Sequence, residues 1–459
     1  MRGFVFFLIF ISSLPFIFVS PFNGVLIWYV FSLGNFHTLT WGFFSDLYYA
    51  YVIAILTCLA WMISWTEKKK LPLTPLVVLT LLFMVWMTIT SLCALAPEQD
   101  VWAKWTTVQK ILLMCLVGFA LTTTRRRVDL LIWVVVLSIG FWGVKGAISF
   151  PLHGGGSGIH GPDGGITADN NEFGVALVML LPLQFYLLRI VTDRRVRRGL
   201  IVMAVLLIFA VIFTYSRGAA VGLCAMGVVV WLRSRAKLAT GAIILVGGLA
   251  VYAIVPQSWL DRMNTIGHYE DDSSAMGRIN FWMASLRIAE LHPIMGGGFR
   301  VTFWPQVTNA MLEGTTIPRL DKPRATHSIY FDALSEHGYI GLALFLMIAA
   351  CSWRNCSWMI RHSRDRPDLA WASLLGRMGQ AVLVGFWSAG AFASLAYFDE
   401  YWCIMFIFDA AHRVVAREIP ATGGVIVRPA VTALGVPAPG LGTTVLGNPG
   451  WPDYAKNRP

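Results

Sequence analysis

Three ionisable side chains stand where an otherwise apolar sequence should not tolerate them. Arg217, in TYSRGAAVGL, falls between the apolar runs 200–216 and 218–232 with no room for a loop. A charge at membrane depth costs at least about 2.5–3.5 kcal/mol on insertion scales, so it needs a partner or a purpose. Either Arg217 snorkels at an interface, or it is a fixed cation facing an outer, water-accessible cavity. The following Gly218, Ala219 and Ala220 let another backbone or a ligand approach closely.

Arg278, in SSAMGRINFWMASLRIAEL, opens a stretch of helical periodicity whose buried face is expected to be Ile279, Trp282, Met283 and Leu286. Asp271, Asp272, Ser273 and Ser274 are its candidate N-caps. An arginine in that first turn joins a guanidinium to a helix N-terminus, a good place for an anion; a plain surface charge is the other reading. His327, in KPRATHSIYFDALSEHGYIG, enters the next apolar run, with Asp332 and Glu336 five and nine residues further along an expected helix. A histidine at a wet membrane edge can change protonation near neutral pH, or it can be structural. His337, deeper and beside Gly338, reads as packing, while Lys322 and Arg324 add positive charge just before His327.

Other motifs fail. HGGGSGIHG lacks the Lys and Ser/Thr that end a phosphate-binding loop, and His153 and His160 have no carboxylate or cysteine at zinc spacing. Glu270-Asp271-Asp272 reads as a solvated acidic turn before it reads as a cation site, and there is no Gly-x-Ser-x-Gly elbow. Cys58, Cys93, Cys115, Cys224, Cys351, Cys356 and Cys403 lie in or beside apolar runs and read as small core residues.

The elements that position these residues are set by composition. The 459-residue chain is 56% hydrophobic and 13% charged, with a mean hydropathy of +0.64. Soluble proteins carry roughly 25% charged residues. That excludes a soluble enzyme, a secreted disulfide scaffold and a disordered regulator. The net charge of +11 is spread in short clusters, Lys68–Lys70, Arg125–Arg127, Arg194–Arg198, Arg233–Lys237 and Arg361–Arg366, as cytoplasmic loops require. A nucleic-acid surface would gather them on one face, so no nucleic-acid partner is expected.

The fold expected is all-α and polytopic. Crossings are expected at 45–65, 73–95, 106–123, 129–150, 172–191, 200–216, 218–232, 238–255, 328–352, 371–395 and 401–415. Residues 1–34 add one crossing or a short hairpin, interrupted by Pro15 and Pro21; Arg2 favours a cytoplasmic start and about twelve crossings in all. Phe4 to Val19 looks like a signal peptide but reads as a retained anchor. With the basic clusters inside, the outer loops are 96–104, 151–171, the turn at 216–218, 256–327 and 396–400. The expected division is a membrane domain over 1–415, including the long outer loop 256–327, and a disordered cytoplasmic tail over 416–459. No internal repeat suggests the inverted halves of many transporters.

Taken together, TYSRG, MNTIGHYEDDSSAMGRINFW, GGGF and HSIYFDALSEHG, with the DNN of 169–171, resemble the O-antigen ligase/polymerase superfamily over roughly residues 20–415. Their details are most similar to probable O-glycosylation ligases associated with the exosortase A system. The resemblance implies an inner-membrane glycosyltransferase acting at the periplasmic face of a bacterial cell. It takes a glycan from a polyprenyl-diphosphate carrier and joins it to an acceptor hydroxyl, with no cofactor or metal. By the same resemblance Arg217 and Arg278 match the arginines that hold the diphosphate, and His327 the histidine that activates or orients the acceptor. Arg300, Lys322, Arg324 and Glu336 are auxiliary candidates.

A polymerase adding repeat units to a lipid-linked chain needs the same residues and stays open. A polysaccharide transporter, which expects ionisable residues inside many helices, and a structural component of a sorting system are the alternatives of other classes.

Overall fold

The computed structural model describes residues 2–64, 67, 70–152, 158–234, 236–254, 273–320 and 322–421. Among them no strand occurs, and the chain is a series of α-helices. They are α1 (Arg2–Val19), α2 (Pro21–Gly34), α3 (Tyr49–Ile63), α4 (Pro75–Leu92), α5 (Glu98–Leu121), α6 (Arg125–Leu152), α7 (Asn170–Ile190) and α8 (Arg194–Phe213). There follow α9 (Arg217–Arg233), α10 (Lys237–Ile254), α11 (Ser273–Leu291), α12 (Pro305–Leu312), α13 (Ile329–His362), α14 (Ala370–Gly390) and α15 (Asp399–Ala421). The chain forms two units, Met1–Ala416 and Arg417–Pro459; the account below concerns the first. Of the disordered tail expected over 416–459, residues 416–421 are instead the end of α15, and the rest, like the acidic turn at 270–272, lies outside the described residues.

Eight helices are long and apolar enough to cross a membrane, and Pro21–Gly34, Tyr49–Ile63 and Lys237–Leu249 are shorter apolar helices. This is an all-α, multi-pass membrane protein. Residues 2–34, left open between one crossing and a hairpin, form two helices broken at Ser20, with Pro21 in the first position of α2.

The core lies around α14, which packs on α7, α9 and α13. Glycine makes the α9 contact close: a Cβ at Gly222 would stand 2.7 Å from Ala389 Cβ and 2.8 Å from the Gly385 carbonyl oxygen. Small residues are what let helices without a hydrophobic drive between them pack tightly. The run 401–411 is buried throughout.

Helix starts follow local polar chemistry. Asp193 caps α8 by accepting from Arg195 N–H at 2.7 Å, and Ser216 caps α9 by accepting from Ala219 N–H at 3.2 Å. Asp169 caps α7 by accepting from Asn171 N–H at 2.8 Å. The α6–α7 loop and the α8–α9 turn lie together, since Ile159 N–H donates to Phe213 O at 2.8 Å and Asn170 Nδ2 to Thr214 O at 2.6 Å. With the helices alternating in direction, Arg125–Arg127, Arg194–Arg198 and Arg233 then fall at the opposite helix ends.

Two expectations about α11 are corrected. The helix begins at Ser273, so Arg278 lies in its second turn and not at its N-terminus. Its buried face is Phe281, Ala284, Ser285, Ile288 and Ala289, while Met283 and Leu286 are exposed. Phe281 and Ala284 pack with Leu312 and Leu320 beneath α12, a partner surface that periodicity alone does not reveal.

Candidate functional site

Arg217 is the first residue of α9, set immediately after its cap Ser216 and after Tyr215, whose φ of 56° is left-handed. That strained turn is held from α7 by the Asn170 bond to Thr214 O. Arg278 reaches the same place from α11. Together the two line a cavity of about 270 Å³ walled by Gly218, Val221, Ala275, Ile279, Trp282 and Phe392. The chamber is small and otherwise apolar, and a guanidinium is a planar fork of donors whose geometry can match the oxygens of an anion in pairs.

Trp282 joins this cavity to His327. Its ring stacks on Phe331 at 5.5 Å, and its indole N–H donates to the Thr326 carbonyl at 2.9 Å. His327 is half-buried with a left-handed φ of 52°, a conformation that β-carbon sterics make uncommon. Its N–H donates to Ser394 Oγ at 2.8 Å, and Ser394 donates to Asp332 Oδ1 at 3.1 Å. Thr326 Oγ1 donates to the same carboxylate oxygen. Asp332 is thus the anchor of the His327 turn.

The His327 ring carries a buried Nδ1 with no hydrogen-bond partner among the described residues. Burial, then the Arg278 charge, lowers its pKa; Asp169 opposes this and Arg324 adds to it. The imidazole is therefore neutral near pH 7 and able to take a proton. Desolvation works against the Asp169 carboxylate as well. The Glu172 carboxyl within hydrogen-bonding reach, both Asn171 donors and His160 outweigh it and hold Asp169 below its ordinary range. Glu172 Oε2 is buried and has no partner among the described residues.

The auxiliary candidates divide. Arg324 is exposed, with a guanidinium nitrogen 3.5 Å from where a Cβ on Gly277 would stand, so it flanks Arg278. Lys322 is exposed. Arg300 and Glu336 do not line the arginine cavity. Glu336 Oε1 accepts from the backbone N–H of Arg300 at 2.8 Å, and the Arg300 guanidinium lies 5.0 Å from the Phe303 ring.

Both belong to a junction that explains two glycine motifs. Helix α13 breaks at Gly338, with φ 67° and ψ −170°. The carbonyls freed there are met by Gly297 N–H on Ser335 O at 2.8 Å, Gly298 N–H on Glu336 O at 2.9 Å and the Trp86 indole on His337 O at 3.0 Å. His337 is packing, as expected: its Nδ1 pairs with Thr90 Oγ1 at 2.7 Å, and Phe299 meets its ring edge-on at 4.6 Å.

Comparison with known families gives the region a context. Residues 202–346 match the family described as O-Antigen ligase. They contain Arg217, Arg278, Arg300, Lys322, Arg324, His327 and Glu336. The match supports the O-antigen ligase superfamily and, in general terms, a membrane glycan-transferring function of the ligase or polymerase type. Residues 1–192, with Asp169 and Glu172, match a Family of unknown function (DUF5935). No curated protein matches the chain.

Asp169 and Ser394 were not foreseen as neighbours of His327, nor Glu172 as a neighbour of Asp169. DNN was visible as text, but only the fold shows α7 starting beside the α8–α9 turn. Ser394 lies in a short connection with no pattern of its own.

Proposed function

We propose that the chain is an O-glycan ligase that transfers a glycan from a polyprenyl-diphosphate carrier to an acceptor hydroxyl at the periplasmic face of a bacterial inner membrane. The finer assignment, to the ligases associated with the exosortase A system, rests on the motif resemblance. The observation carrying the proposal is the cavity that Arg217 and Arg278, from two different helices, line together beside His327.

The chemistry is a single displacement. The acceptor oxygen attacks the anomeric carbon, the C1–O bond to the diphosphate breaks, and the diphosphate leaves with the electron pair. Arg217 and Arg278 hold that group where its negative charge grows, which lowers the barrier more than it tightens ground-state binding. The neutral His327 imidazole takes the hydroxyl proton as the new bond forms. One displacement inverts the anomeric centre.

Purified protein, a polyprenyl-diphosphate oligosaccharide and a hydroxyl acceptor test this. Acceptor-dependent release of polyprenyl diphosphate with formation of the glycosylated acceptor is the expected result. Extension of the carrier-linked chain instead would make it a polymerase. Lipid binding with no release under any acceptor would move the reading to a transporter.

A further inference from the structure

The arginine cavity has more wall than an anion needs. Beside Arg217 and Arg278 it is lined by Val221 from α9 and Ile279 from α11, and a phosphate gains nothing from either. Val221 is also the first residue of an apolar row that continues beyond the cavity. In a helix, residues three and four apart share a face, so Arg217, Val221, Cys224, Val228 and Trp231 stand in one row along α9. Val221, Val228 and Trp231 are exposed, and so is Cys224. The face that α9 buries is a different one. A Cβ at Gly218 would stand 3.3 Å from the Ala389 carbonyl oxygen, and one at Gly222 2.7 Å from Ala389 Cβ. The row ends at the turn into α10, where the Trp231 indole N–H donates to the Lys237 carbonyl at 3.0 Å.

Length and charge suit this row to a hydrocarbon chain. No charged residue falls between Arg217 and Arg233. The 17 residues of α9 span about 26 Å at about 1.5 Å each, within the roughly 30 Å of a bilayer's hydrocarbon core. The α11 wall offers a shorter path. Met283 and Leu286 are exposed, but Arg287 and Glu290 follow, partly exposed, and pair at 3.1 Å; hydrocarbon is a costly place for charges. Lipid tails are as apolar as the side chains they touch, so a chain lying on α9 gains no hydrophobic energy over the lipid it displaces. The guanidiniums therefore supply affinity and the row supplies direction.

We propose that the polyprenyl chain of the donor leaves the arginine cavity at Val221 and lies along Val221, Cys224 and Val228 on α9, which turns the sugar end of the diphosphate toward Trp282 and His327. The identity of the chain rests on the ligase reading. The test uses the full chain in nanodiscs, with the photo-cross-linker p-benzoylphenylalanine replacing one residue at a time. The positions are Cys224 and Val228 in the row, Met283 on α11, and Val85 and Val202 as exposed apolar residues of α4 and α8. The ligands are undecaprenyl diphosphate and undecaprenol, which lacks the anion. Undecaprenyl diphosphate should cross-link at the Cys224 and Val228 positions at least tenfold more than at those of Val85, Val202 or Met283. Arg217→Gln in the same background should remove that excess, and undecaprenol should show none. Two positions in the row keep the test valid if one replacement misfolds. Equal yields in the row and at Val85 and Val202, an excess that survives Arg217→Gln or appears with undecaprenol, or a highest yield at Met283 would each overturn the track. An Arg217-dependent excess without transfer to any acceptor would instead remove the ligase reading and leave the lipid track standing.

Discussion

The arginine cavity and the α13 junction both place ionisable groups inside a membrane protein, yet one sets them around a cavity and the other packs them between chain segments. At the junction Glu336 Oε1 takes the Arg300 N–H, His337 Nδ1 pairs with Thr90, and the Ser335 and Glu336 carbonyls take Gly297 and Gly298, while Glu336 Oε2 and His337 Nε2 have no partner among the described residues. At the cavity the Arg217 and Arg278 side chains line open space, and the buried His327 Nδ1 has no partner among the described residues. The same eleven-residue stretch, HSIYFDALSEH, feeds both regions. Polar groups that bridge two segments hold a fold together, whereas side chains that line a cavity lie where a ligand can reach them. Asp332 stands between the two, buried like the first set but serving the His327 turn of the second.

That contrast can be broken by substitution. Arg217→Ala and Arg278→Ala should each lower transfer by about 10²–10³-fold, the usual effect of removing one donor to a developing negative charge. Circular dichroism and size-exclusion profiles should match wild type. His327→Ala should cost roughly 10²-fold at neutral pH, as expected for loss of a general base. Gly338→Ala should act on stability instead. Its φ is left-handed and a Cβ would collide with the Pro293 and Ile294 carbonyl oxygens, so a loss of at least about 1–3 kcal/mol is expected. Thermal unfolding in detergent would read it. Ser394→Ala removes one bond to the His327 N–H and one to Asp332; about 1 kcal/mol and a fall in kcat of less than about tenfold follow.

The smallest effect sharpens the comparison most. Because burial and Arg278 hold the His327 pKa down, activity should persist below the ordinary histidine range and fall only as acid protonates the ring. Asp169 opposes that shift, so Asp169→Asn should move the acid limb of kcat/KM to lower pH. A limb that stays in place would remove Asp169 from the His327 environment.

The sequence made the membrane class, the helix order and the Arg217 turn legible, because apolar length and basic clusters are local signals. Arg217 and Arg278 line one cavity, and the diphosphate role that the motif resemblance gives them is a proposal. The buried face of α11 was misread because Trp282 and Ile279 serve the cavity while Phe281 and Ala284 face α12; one helix has two partners, and periodicity registers only one. GGGF and SEHG were both visible, but their docking depends on a helix break that no local pattern announces. Glu336, nine residues beyond His327 in the sequence, was drawn toward the site by proximity along the chain and in the fold belongs to the junction.

The most direct measurement is the affinity of the purified chain for sugar-free undecaprenyl diphosphate, compared across Arg217→Gln, Arg278→Gln and Glu336→Gln. Glutamine at 336 keeps an acceptor for the Arg300 N–H, so that variant should bind as wild type does, while each arginine variant should bind at least tenfold more weakly. Equal binding by all of them would show that the cavity does not hold the diphosphate, and the account of the site would be wrong.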